Sequence, residues 1–340
     1  MQKKVYIIIL NYKTWKDSIE CLESVFLLDY SNFQVVLVDN FSQNGSIEEI
    51  QSWASTYEVN NFFEQKEGSK QPVIKRKLNF SIYEFSENYN SEINNTDLII
   101  IKGKENKGFS AGNNIGLKYA LQRNDFDFVW LLNNDTIVEK NALTELTKHL
   151  NLNPEIGICG SVLLDYIRPN ILQGVGGYYN KITGSAKEIF NGRYLSRDLF
   201  AIPHKINYPI GASLFLQKKF LETVGLLNEE YFLFFEEIDW TLRGEKFGWI
   251  CGYAPESYVW HKGSSTINSN SKKSKVSDYF GVRSKILFTK KFYPKNLIFI
   301  YACFLPLLIN RIKRGQFNRL VTILSIMLNP KMDYKEILSK

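Results

Sequence analysis

The first part of the chain alternates short apolar runs with stretches of helical periodicity. The apolar runs in VYIIIL at 5–10 and FQVVLVDN at 33–40 are typical of buried strands. TWKD at 14–17 is typical of a capping box, and apolar residues then recur at helical spacing: Trp15, Ile19, Leu22 and Val25 or Phe26. Strand, helix and strand within about 35 residues predict a βαβ unit with parallel pairing and a right-handed crossover.

The alternation resumes at 97–103 (DLIIIKG), a predicted strand followed by the glycine-rich turn ENKGFSAGNN and a helix. FDFVWLLNND predicts the next strand, and NALTELTKHL at 141–150 the next helix. Later strands are predicted at 156–164, 208–217 and 249–261, with the acidic helix EEIDWTLRGEKFG before the last. Residues 58–97, rich in Asn, Glu, Ser and Lys, interrupt the pattern, and we interpret them as an insertion or long loop, partly mobile.

Composition narrows the class of protein. The 340 residues are 44% hydrophobic and 14% aromatic, which fits one large globular domain and excludes a wholly disordered chain. Four widely separated cysteines without a CxxC argue against a disulfide framework or zinc site and fit a reducing cytosol. The apolar run at 5–10 is shorter than the 7–15 residues of a signal peptide, so we expect the catalytic part to stay in the cytoplasm.

Positive charge is concentrated near the C-terminus. Residues 272–319 contain twelve Lys or Arg and one acid, a charge of +11, so the rest of the chain carries 7 − 11 = −4. This distribution argues against a nucleic-acid partner for the main domain and favours an anionic surface as the partner of the tail.

Two apolar stretches, 297–309 and 320–328, flank a basic cluster of Arg311, Lys313, Arg314 and Arg319. Thirteen helical residues span about 20 Å, less than the roughly 30 Å of a bilayer core. The pattern predicts a helical hairpin in the membrane interface. The alternatives are a soluble helical cap over the main domain and a true membrane span. We therefore divide the chain into a main domain at 1–268 and a tail at 269–340.

Polar residues follow several predicted strands: Leu10-Asn11-Tyr12, Asp39-Asn40 and Asn133-Asn134-Asp135. Ligands of open α/β sheets bind at the carboxyl ends of the strands, so this shared edge predicts a site. No GxGxxG follows the first strand and no P-loop motif occurs. Asp135 is the candidate ligand for one divalent cation that also binds ligand phosphates, and Asp39 the candidate acceptor of a hydrogen bond from a base or ribose.

The ordered motifs LNYxxWxxxxxCLESV, VVLVDN, ENKGFSAGNN, WLLNNDTIV, GASLFL, YFLFFEEIDWTLR and VWHKGSS resemble glycosyltransferase family 2, over residues 4–265. The chain is most similar to bacterial rhamnosyltransferase-type members that build surface polysaccharides. The resemblance implies an α/β fold of GT-A type: a nucleotide-binding mixed sheet flanked by helices, here with a basic and apolar helical tail. It also implies transfer of a sugar from a nucleoside diphosphate with inversion.

The resemblance assigns a nucleotide-binding role to several residues. Leu10, Asn11 and Tyr12 match the strand end that contacts the base, and Asp39 matches the aspartate that hydrogen-bonds a pyrimidine. A further group matches the turn that packs around the nucleotide: Asn106, Gly108, Phe109, Gly112 and Asn113. We expect Gly108 and Gly112 to let the backbone approach the ligand closely.

The metal motif DxD of the family is matched by Asn133-Asn134-Asp135, so Asp135 is the expected ligand of Mg²⁺ or Mn²⁺. The catalytic base of the family is the aspartate of an ED pair, which aligns with Glu236-Glu237. Glu237 is the first candidate for the base, followed by Asp239 and Glu236, and the choice stays open.

The remaining expectations concern the rim of the site. His261 is expected near the metal or diphosphate, or as a structural hydrogen-bonding group, and Lys262 and Ser264 near phosphate. Gly211 and Ala212 are expected to line the donor sugar pocket. Two further residues have open alternatives: Arg243 pairs with the acidic helix or with the diphosphate, and Trp240 stacks on a sugar or packs in the core.

The expected donor is dTDP-rhamnose, with UDP-hexoses as the alternative, and the expected acceptor is a lipid-linked or growing bacterial surface glycan. The enzyme would then work at the inner face of the cytoplasmic membrane. The amide at Asn133 and the glutamate at Glu237 motivate a different class, a catalytically silent scaffold subunit that binds nucleotide sugars.

Overall fold

A computed structural model describes residues 2–60, 75–86, 96–201, 204–263, 275–333 and 335–336. Within them, the main sheet has ten strands in the order β5-β6-β2-β1-β7-β13-β9-β14-β8, with β10 paired to β9. The strands of this sheet are β1 Val5–Asn11, β2 Phe33–Asp39, β5 Phe80–Glu84, β6 Leu98–Lys102, β7 Phe128–Asn133, β8 Thr136–Val138, β9 Ile156–Asp165, β10 Leu172–Gly174, β13 Ser213–Gln217 and β14 Ile250–His261.

Helices and two small hairpins complete the fold. The hairpins are β3 Glu58–Asn60 with β4 Lys75–Lys77, and β11 Gly177–Asn180 with β12 Ser185–Glu188. The helices are α1 Trp15–Val25, α2 Ser46–Thr56, α3 Phe109–Arg123, α4 Ala142–Leu152, α5 Lys218–Val224, α6 Glu236–Glu245, α7 Lys275–Phe292, α8 Leu297–Cys303, α9 Leu305–Lys313 and α10 Phe317–Leu328. Short 3₁₀ turns occur at Arg197–Phe200 and Pro294–Asn296.

The predicted βαβ unit is confirmed, and its register aligns the polar strand ends. Strand β1 pairs in parallel with both β2 and β7, placing Asn11 opposite Asp39 and Leu10 opposite Asn133. Because parallel strands point the same way, their carboxyl ends meet at one edge of the sheet. That edge carries the polar groups expected from the sequence.

Alternate residues of the central strands enter two apolar layers, one on each face of the sheet. Ile7 and Ile9 pack with α1, α2 and α4, whereas Tyr6 and Ile8 pack with α3, α5 and α6. Each fully buried side chain of this size stabilises the fold by about 1.5–3 kcal/mol. Trp240 lies in the second layer, fully buried, and its indole N–H donates to the Gly225 carbonyl at 2.8 Å. Core packing is therefore its role.

The segment at 58–97 is more than a loop. Within its described part, β5 lies parallel to β6 and forms an edge strand of the main sheet, and β3 and β4 form a hairpin. The prediction of a loop is wrong at these strands. The many polar residues of the segment suggested a loop, but Phe80 and Ile82 of β5 pack against the core. Residues 61–74 and 87–95 lie outside the described residues.

The tail forms four helices, α7 to α10, around an apolar cluster of its own. The charges of its basic cluster are divided. Arg311 and Arg319 are buried and pair with the buried Asp278 at 2.8 and 2.5 Å, whereas Lys313 and Arg314 are exposed. Half of the predicted basic cluster is thus internal, because a buried carboxylate needs paired cations.

Among the described residues, only Pro294–Lys313, 20 residues long, is long and apolar enough to cross a membrane. This segment is broken into the second 3₁₀ turn, α8 and α9, and it extends beyond the apolar stretch 297–309 on which the prediction was based.

Candidate active site

A continuous hydrogen-bond network joins the carboxyl ends of β1, β2 and β7. Asp39 Oδ1 accepts from Asn11 Nδ2 at 2.6 Å and from Ser42 Oγ at 2.5 Å. Ser18 Oγ donates to Asn11 Oδ1 at 2.9 Å and accepts from Asn134 Nδ2 at the same distance. Since Asp39 is only 4% exposed, the network fixes three strand ends as one rigid floor.

The hydroxyl of Thr14 belongs to the same network. The predicted capping box is wrong, because Thr14 makes no side-chain capping bond to α1. Its Oγ1 instead accepts from Asn134 Nδ2 at 2.7 Å. Leu10 and Tyr12 are partly exposed at this edge.

The glycine-rich turn before α3 closes one side of the floor. Asn106 Oδ1 accepts from Asn40 Nδ2 at 3.0 Å and from the Gly108 amide at 2.9 Å. Asn113 Nδ2 donates to the Phe109 carbonyl at 3.0 Å and so stabilises the first turn of the helix. The turn is thereby tied to the end of β2.

The glycines of this turn accommodate the protein's own atoms. A Cβ on Gly108, where φ is +91°, would lie 2.1 Å from the Phe232 carbonyl oxygen. A Cβ on Gly112 would lie 2.6 Å from Leu10 Cδ1. Chain packing therefore gives glycine a structural reason at both positions. The expectation that these glycines also let the backbone approach a ligand closely stays a prediction.

Asp135 and His261 face each other beside this floor. His261 Nε2 lies 3.3 Å from Asp135 Oδ1, and both side chains are largely buried. Gln173 Nε2 donates to the His261 carbonyl at 2.8 Å, which fixes the amide so that Gln173 Oε1 faces His261 Nδ1 at 2.8 Å. The Nδ1 atom must therefore carry a proton, and in the neutral imidazole the lone pair of Nε2 faces the carboxylate.

Two acceptors facing each other at 3.3 Å repel unless a proton or a cation lies between them. Carboxylate oxygen and imidazole nitrogen both bind Mn²⁺ and related ions, and an Nδ1–H bonded to an acceptor is typical of metal-binding histidine. No group of three or more His, Cys, Asp or Glu among the described residues could hold a metal alone. Asp135 and His261 thus fit a cation completed by other ligands, as phosphate oxygens would supply.

Lys262, which was expected to contact phosphate, forms ion pairs with two acidic residues of α1. Its Nζ lies 2.6 Å from Asp17 Oδ1 and 2.5 Å from Glu20 Oε2, and its amide donates to the Asp135 carbonyl at 2.9 Å. Lys262 therefore connects the start of α1 to the Asp135 turn. Ser264 lies outside the described residues.

Gly211 and Ala212 differ in surroundings. A Cβ on Gly211 would meet nothing within 4 Å, so open space adjoins it, whereas Ala212 is 3% exposed and belongs to the core. The Ala212 carbonyl accepts from the Asn133 amide at 3.0 Å and so joins this segment to the end of β7.

The acidic helix α6 begins after two residues in left-handed backbone conformation, Phe234 with φ +71° and Phe235 with φ +74°. Such conformations cost roughly 1–3 kcal/mol for non-glycine residues and are frequent at functional sites. The next two residues, Glu236 and Glu237, are the first two residues of the helix.

Glu236 and Glu237 differ in how far their pKa values are raised and in the causes of the shift. Burial, then the charge of Glu237, raises the pKa of Glu236 well above its ordinary value, and Glu236 Oε2 has no hydrogen-bond partner. Burial, with a further contribution from the charge of Glu188, raises the pKa of Glu237 from 4.5 to about 7. Glu237 is therefore the carboxylate that changes its protonation near neutral pH.

Asp239 lies fully buried in a network of ion pairs. Arg243 Nε contacts its Oδ1 at 2.6 Å, and Lys291 Nζ contacts its Oδ2 at 2.6 Å. Tyr231 O–H donates to the same Oδ2 at 3.1 Å. Of the two alternatives for Arg243, pairing with the acidic helix is the one observed.

The comparison with protein families identifies the chain. A family model described as "Glycosyltransferase like family 2" matches residues 2–280. The chain belongs to this family. The resemblance drawn from its motifs is confirmed.

Two characterised relatives of this glycosyltransferase are named for related activities. The low-salt glycan biosynthesis hexosyltransferase Agl10 of Haloferax volcanii is 25% identical over 63% of this chain and 67% of its own. The dTDP-rhamnosyl transferase RfbF of Shigella flexneri is 22% identical over 55% of this chain and 61% of its own.

Solved structures show the fold of this glycosyltransferase. The structure of GalNAc-T7 with UDP, GalNAc and Mn²⁺ matches 88% of this chain and 50% of its own, with a TM-score of 0.62 and 12% identity. The mannosyltransferase PcManGT from Pyrobaculum calidifontis, in complex with GDP-Man and Mn²⁺, matches 97% of this chain and 88% of its own, with a TM-score of 0.53 and 11% identity. The fold is of GT-A type, as expected.

Several residues of this candidate site have no local sequence signal. Gln173, which fixes the tautomer of His261, lies 88 positions before it, and Lys291 lies 52 positions after Asp239. Glu188 lies next to Gly174, where an added Cβ would be 3.0 Å from the Glu188 Cβ. Only the fold brings these residues to the site.

Proposed function

We propose that this family 2 member is a metal-dependent, inverting glycosyltransferase that moves a sugar from a nucleoside diphosphate to a surface glycan. The observation that carries the proposal is the Asp135–His261 pair: Asp135 Oδ1 lies 3.3 Å from His261 Nε2, and Gln173 Oε1 lies 2.8 Å from His261 Nδ1. When bound there, a divalent cation supplies Lewis-acid stabilisation of the leaving diphosphate. The Mn²⁺ present in the structures of GalNAc-T7 and PcManGT supports this assignment.

Glu237 is our choice for the general base. Both oxygens of Asp239 already accept from cations, and burial together with the charge of Glu237 raises the pKa of Glu236 well above its ordinary value. Glu237, with a pKa of about 7, takes the proton of an acceptor hydroxyl in the range where it is most effective. The hydroxyl oxygen then bonds to the anomeric carbon as the bond to the diphosphate oxygen breaks, which inverts that carbon.

The donor site consists of the floor formed by Asn11, Asp39 and Asn134, with the Gly108 turn on one side. Asp39 is the proposed acceptor from a pyrimidine, and its placement in a rigid network lowers the entropy lost on binding. The name of the RfbF relative supports dTDP-rhamnose as the first candidate donor. UDP-hexoses are the alternative, supported by the name of Agl10 and by UDP-GlcNAc bound to S. aureus TarS, a structure of TM-score 0.52.

The surface of the tail supports our proposal that the enzyme lies at the inner face of the cytoplasmic membrane, next to a lipid-linked acceptor. Helices α8 to α10 expose large apolar side chains: Ile298, Phe299, Leu305, Ile309, Ile312, Phe317, Val321, Leu324 and Leu328. Exposed Lys295, Lys313, Arg314 and Lys331 accompany them, and no acid occurs between positions 279 and 332. An apolar face flanked by cations alone is complementary to an anionic bilayer surface.

The proposal is tested with the purified full chain and a panel of dTDP-rhamnose, UDP-glucose, UDP-GlcNAc and GDP-mannose. We expect one donor to raise Tm in Mn²⁺ or Mg²⁺ but not in EDTA, and to be hydrolysed slowly without acceptor. No metal-dependent shift with any nucleotide would refute the proposal. A metal-dependent shift without hydrolysis or transfer would instead support the scaffold alternative.

Membrane attachment is tested separately by flotation of the full chain with vesicles. We expect binding to vesicles containing phosphatidylglycerol and weak binding to neutral ones, with Lys313→Glu plus Arg314→Glu reducing it. The matched control is the pair Lys218→Glu and Lys219→Glu in α5, outside the tail. Equal binding to both vesicle types would contradict an electrostatic contribution.

A further inference from the structure

Helix α7 of the tail packs against residues 230–233, the segment that precedes α6. The Phe280 ring stacks on Phe232 with centroids 4.3 Å apart. Ser284 Oγ donates to the Leu233 carbonyl at 2.8 Å, and Arg283 Nη1 donates to the Glu230 carbonyl at 2.6 Å. Three residues within about one turn of α7 thus contact residues 230–233.

The opposite side of this segment is held by the glycine turn. The Phe109 amide donates to the Phe232 carbonyl at 2.8 Å, at the point where Gly108 leaves no room for a side chain. Immediately afterwards, Phe234 and Phe235 adopt left-handed backbone conformations. Because such conformations persist only where surrounding contacts enforce them, α7 and the glycine turn together hold the strained entry to α6.

An ion pair connects α7 directly to α6. Lys291, near the end of α7, places its Nζ 2.6 Å from Asp239 Oδ2, and the carboxylate of Asp239 is fully buried. Arg243 holds the other oxygen and also donates to the carbonyls of Val224 and Leu226, both at 2.7 Å. Asp239 is therefore fixed between the main domain and the tail.

We infer that Lys291 is a positioning residue for transfer, through which the tail helix fixes the orientation of α6 and thus of Glu237. Asp239 lies two positions after Glu237 in the same helix, so a shift of one carboxylate moves the other. A misplacement of about 1 Å can reduce a rate by roughly 100-fold. The inference rests on the proposed role of Glu237 as base and gives the tail a part in the chemistry.

The alternative is that the Lys291–Asp239 pair stabilises the fold without affecting the chemistry. The two differ in what a substitution changes. Loss of a positioning residue lowers kcat while donor binding at the sheet edge persists. Loss of a stabilising pair lowers the fraction of folded protein and leaves the kcat of folded molecules unchanged.

The test compares Lys291→Met with Lys291→Arg and with Lys290→Met, a matched change at the exposed neighbouring lysine. We expect Lys291→Met to lower kcat roughly tenfold with the donor KM within about twofold. Lys291→Arg should restore most of the rate, and Lys290→Met should match the wild type. Equal kcat for Lys291→Met and Lys290→Met, per folded molecule, would overturn the inference.

A second measurement does not depend on turnover. Hydrogen exchange of the backbone amides at 230–241 should accelerate in Lys291→Met while those of β1 stay unchanged. If Lys291→Met does not fold, Ser284→Ala removes one contact of α7 to the same segment and is examined in its place. Unchanged exchange and unchanged kcat in the folded variant would overturn the inference. A wild-type chain that transfers no sugar would refute the proposed function, whereas the exchange result would still decide the structural coupling.

Discussion

Replacing Glu237 with glutamine should abolish activity and at the same time stabilise the protein above neutral pH. Burial raises the pKa of Glu237 from 4.5 to about 7, so the folded protein binds this proton more tightly than the unfolded chain. The free energy of unfolding therefore falls as pH rises from about 4.5 to 7, and the loss is complete above 7. A shift of this size corresponds to about 3 kcal/mol, at 1.36 kcal/mol per unit.

Glutamine cannot ionise, so the Glu237→Gln variant escapes this loss. Relative to the wild type, its stability should rise by roughly 2–3 kcal/mol between pH 5 and pH 8. Its kcat should fall by at least about 100-fold, the usual contribution of a general base. In the wild type, the rate should decline as pH falls below about 7, where Glu237 becomes protonated.

The assay measures Tm at pH 5 and pH 8, together with kcat for the preferred donor. The matched control is Glu245→Gln, the same chemical change at an exposed position of the same helix. Its Tm difference from the wild type should not depend on pH. A Glu237→Gln variant that keeps the wild-type kcat would refute the base assignment. A variant whose Tm changes in parallel with the wild type would refute the elevated pKa.

Three further predictions follow from the charges of this chain. Asp135→Asn should abolish the Mn²⁺-dependent rise of Tm with nucleotide, and an unchanged rise would exclude Asp135 as a ligand. Glu188→Gln should move the acid limb of the kcat profile to lower pH, because the charge of Glu188 helps to raise the pKa of Glu237; an unmoved limb would contradict this. Asp278→Asn removes the carboxylate that pairs with two buried arginines, Arg311 and Arg319, and should destabilise the tail by about 3–5 kcal/mol in urea unfolding. Asp127→Asn, at an exposed pair, should cost under about 1 kcal/mol, and equal effects would contradict the argument.

The strand order around the site could be predicted because its determinants are local. An apolar run of six residues ending in a polar residue defines a buried strand and its end, and the helix between two such runs requires parallel pairing. The pairing of Asn11 with Asp39 follows from that topology. The strand β5 was missed because its neighbours are polar and its burial comes from β6, a partner that no local pattern reveals.

The roles of polar side chains were harder to predict from the sequence. Thr14 matches a capping pattern, yet its hydroxyl bonds Asn134, which lies 120 positions away. The basic cluster of the tail was counted as surface charge, yet Arg319 pairs with a buried acid 41 positions earlier. Sequence patterns show that a charge is present, whereas its partner depends on tertiary packing.

The partners of the tail also depend on tertiary packing. Its sequence left three alternatives, a membrane-interface hairpin, a helical cap and a membrane span, and the structure bears on the cap. Helix α7 contributes Phe280 and Phe288 to apolar clusters that also contain residues of the 231–238 segment, so this helix behaves as a cap. Helices α8 to α10 keep an exposed apolar face, which a cap alone does not require. A truncation near residue 268 should therefore unfold or loosen the start of α6 as well as abolish vesicle binding. If the truncated chain instead kept both its Tm and its kcat, α7 would have no part in holding Glu237.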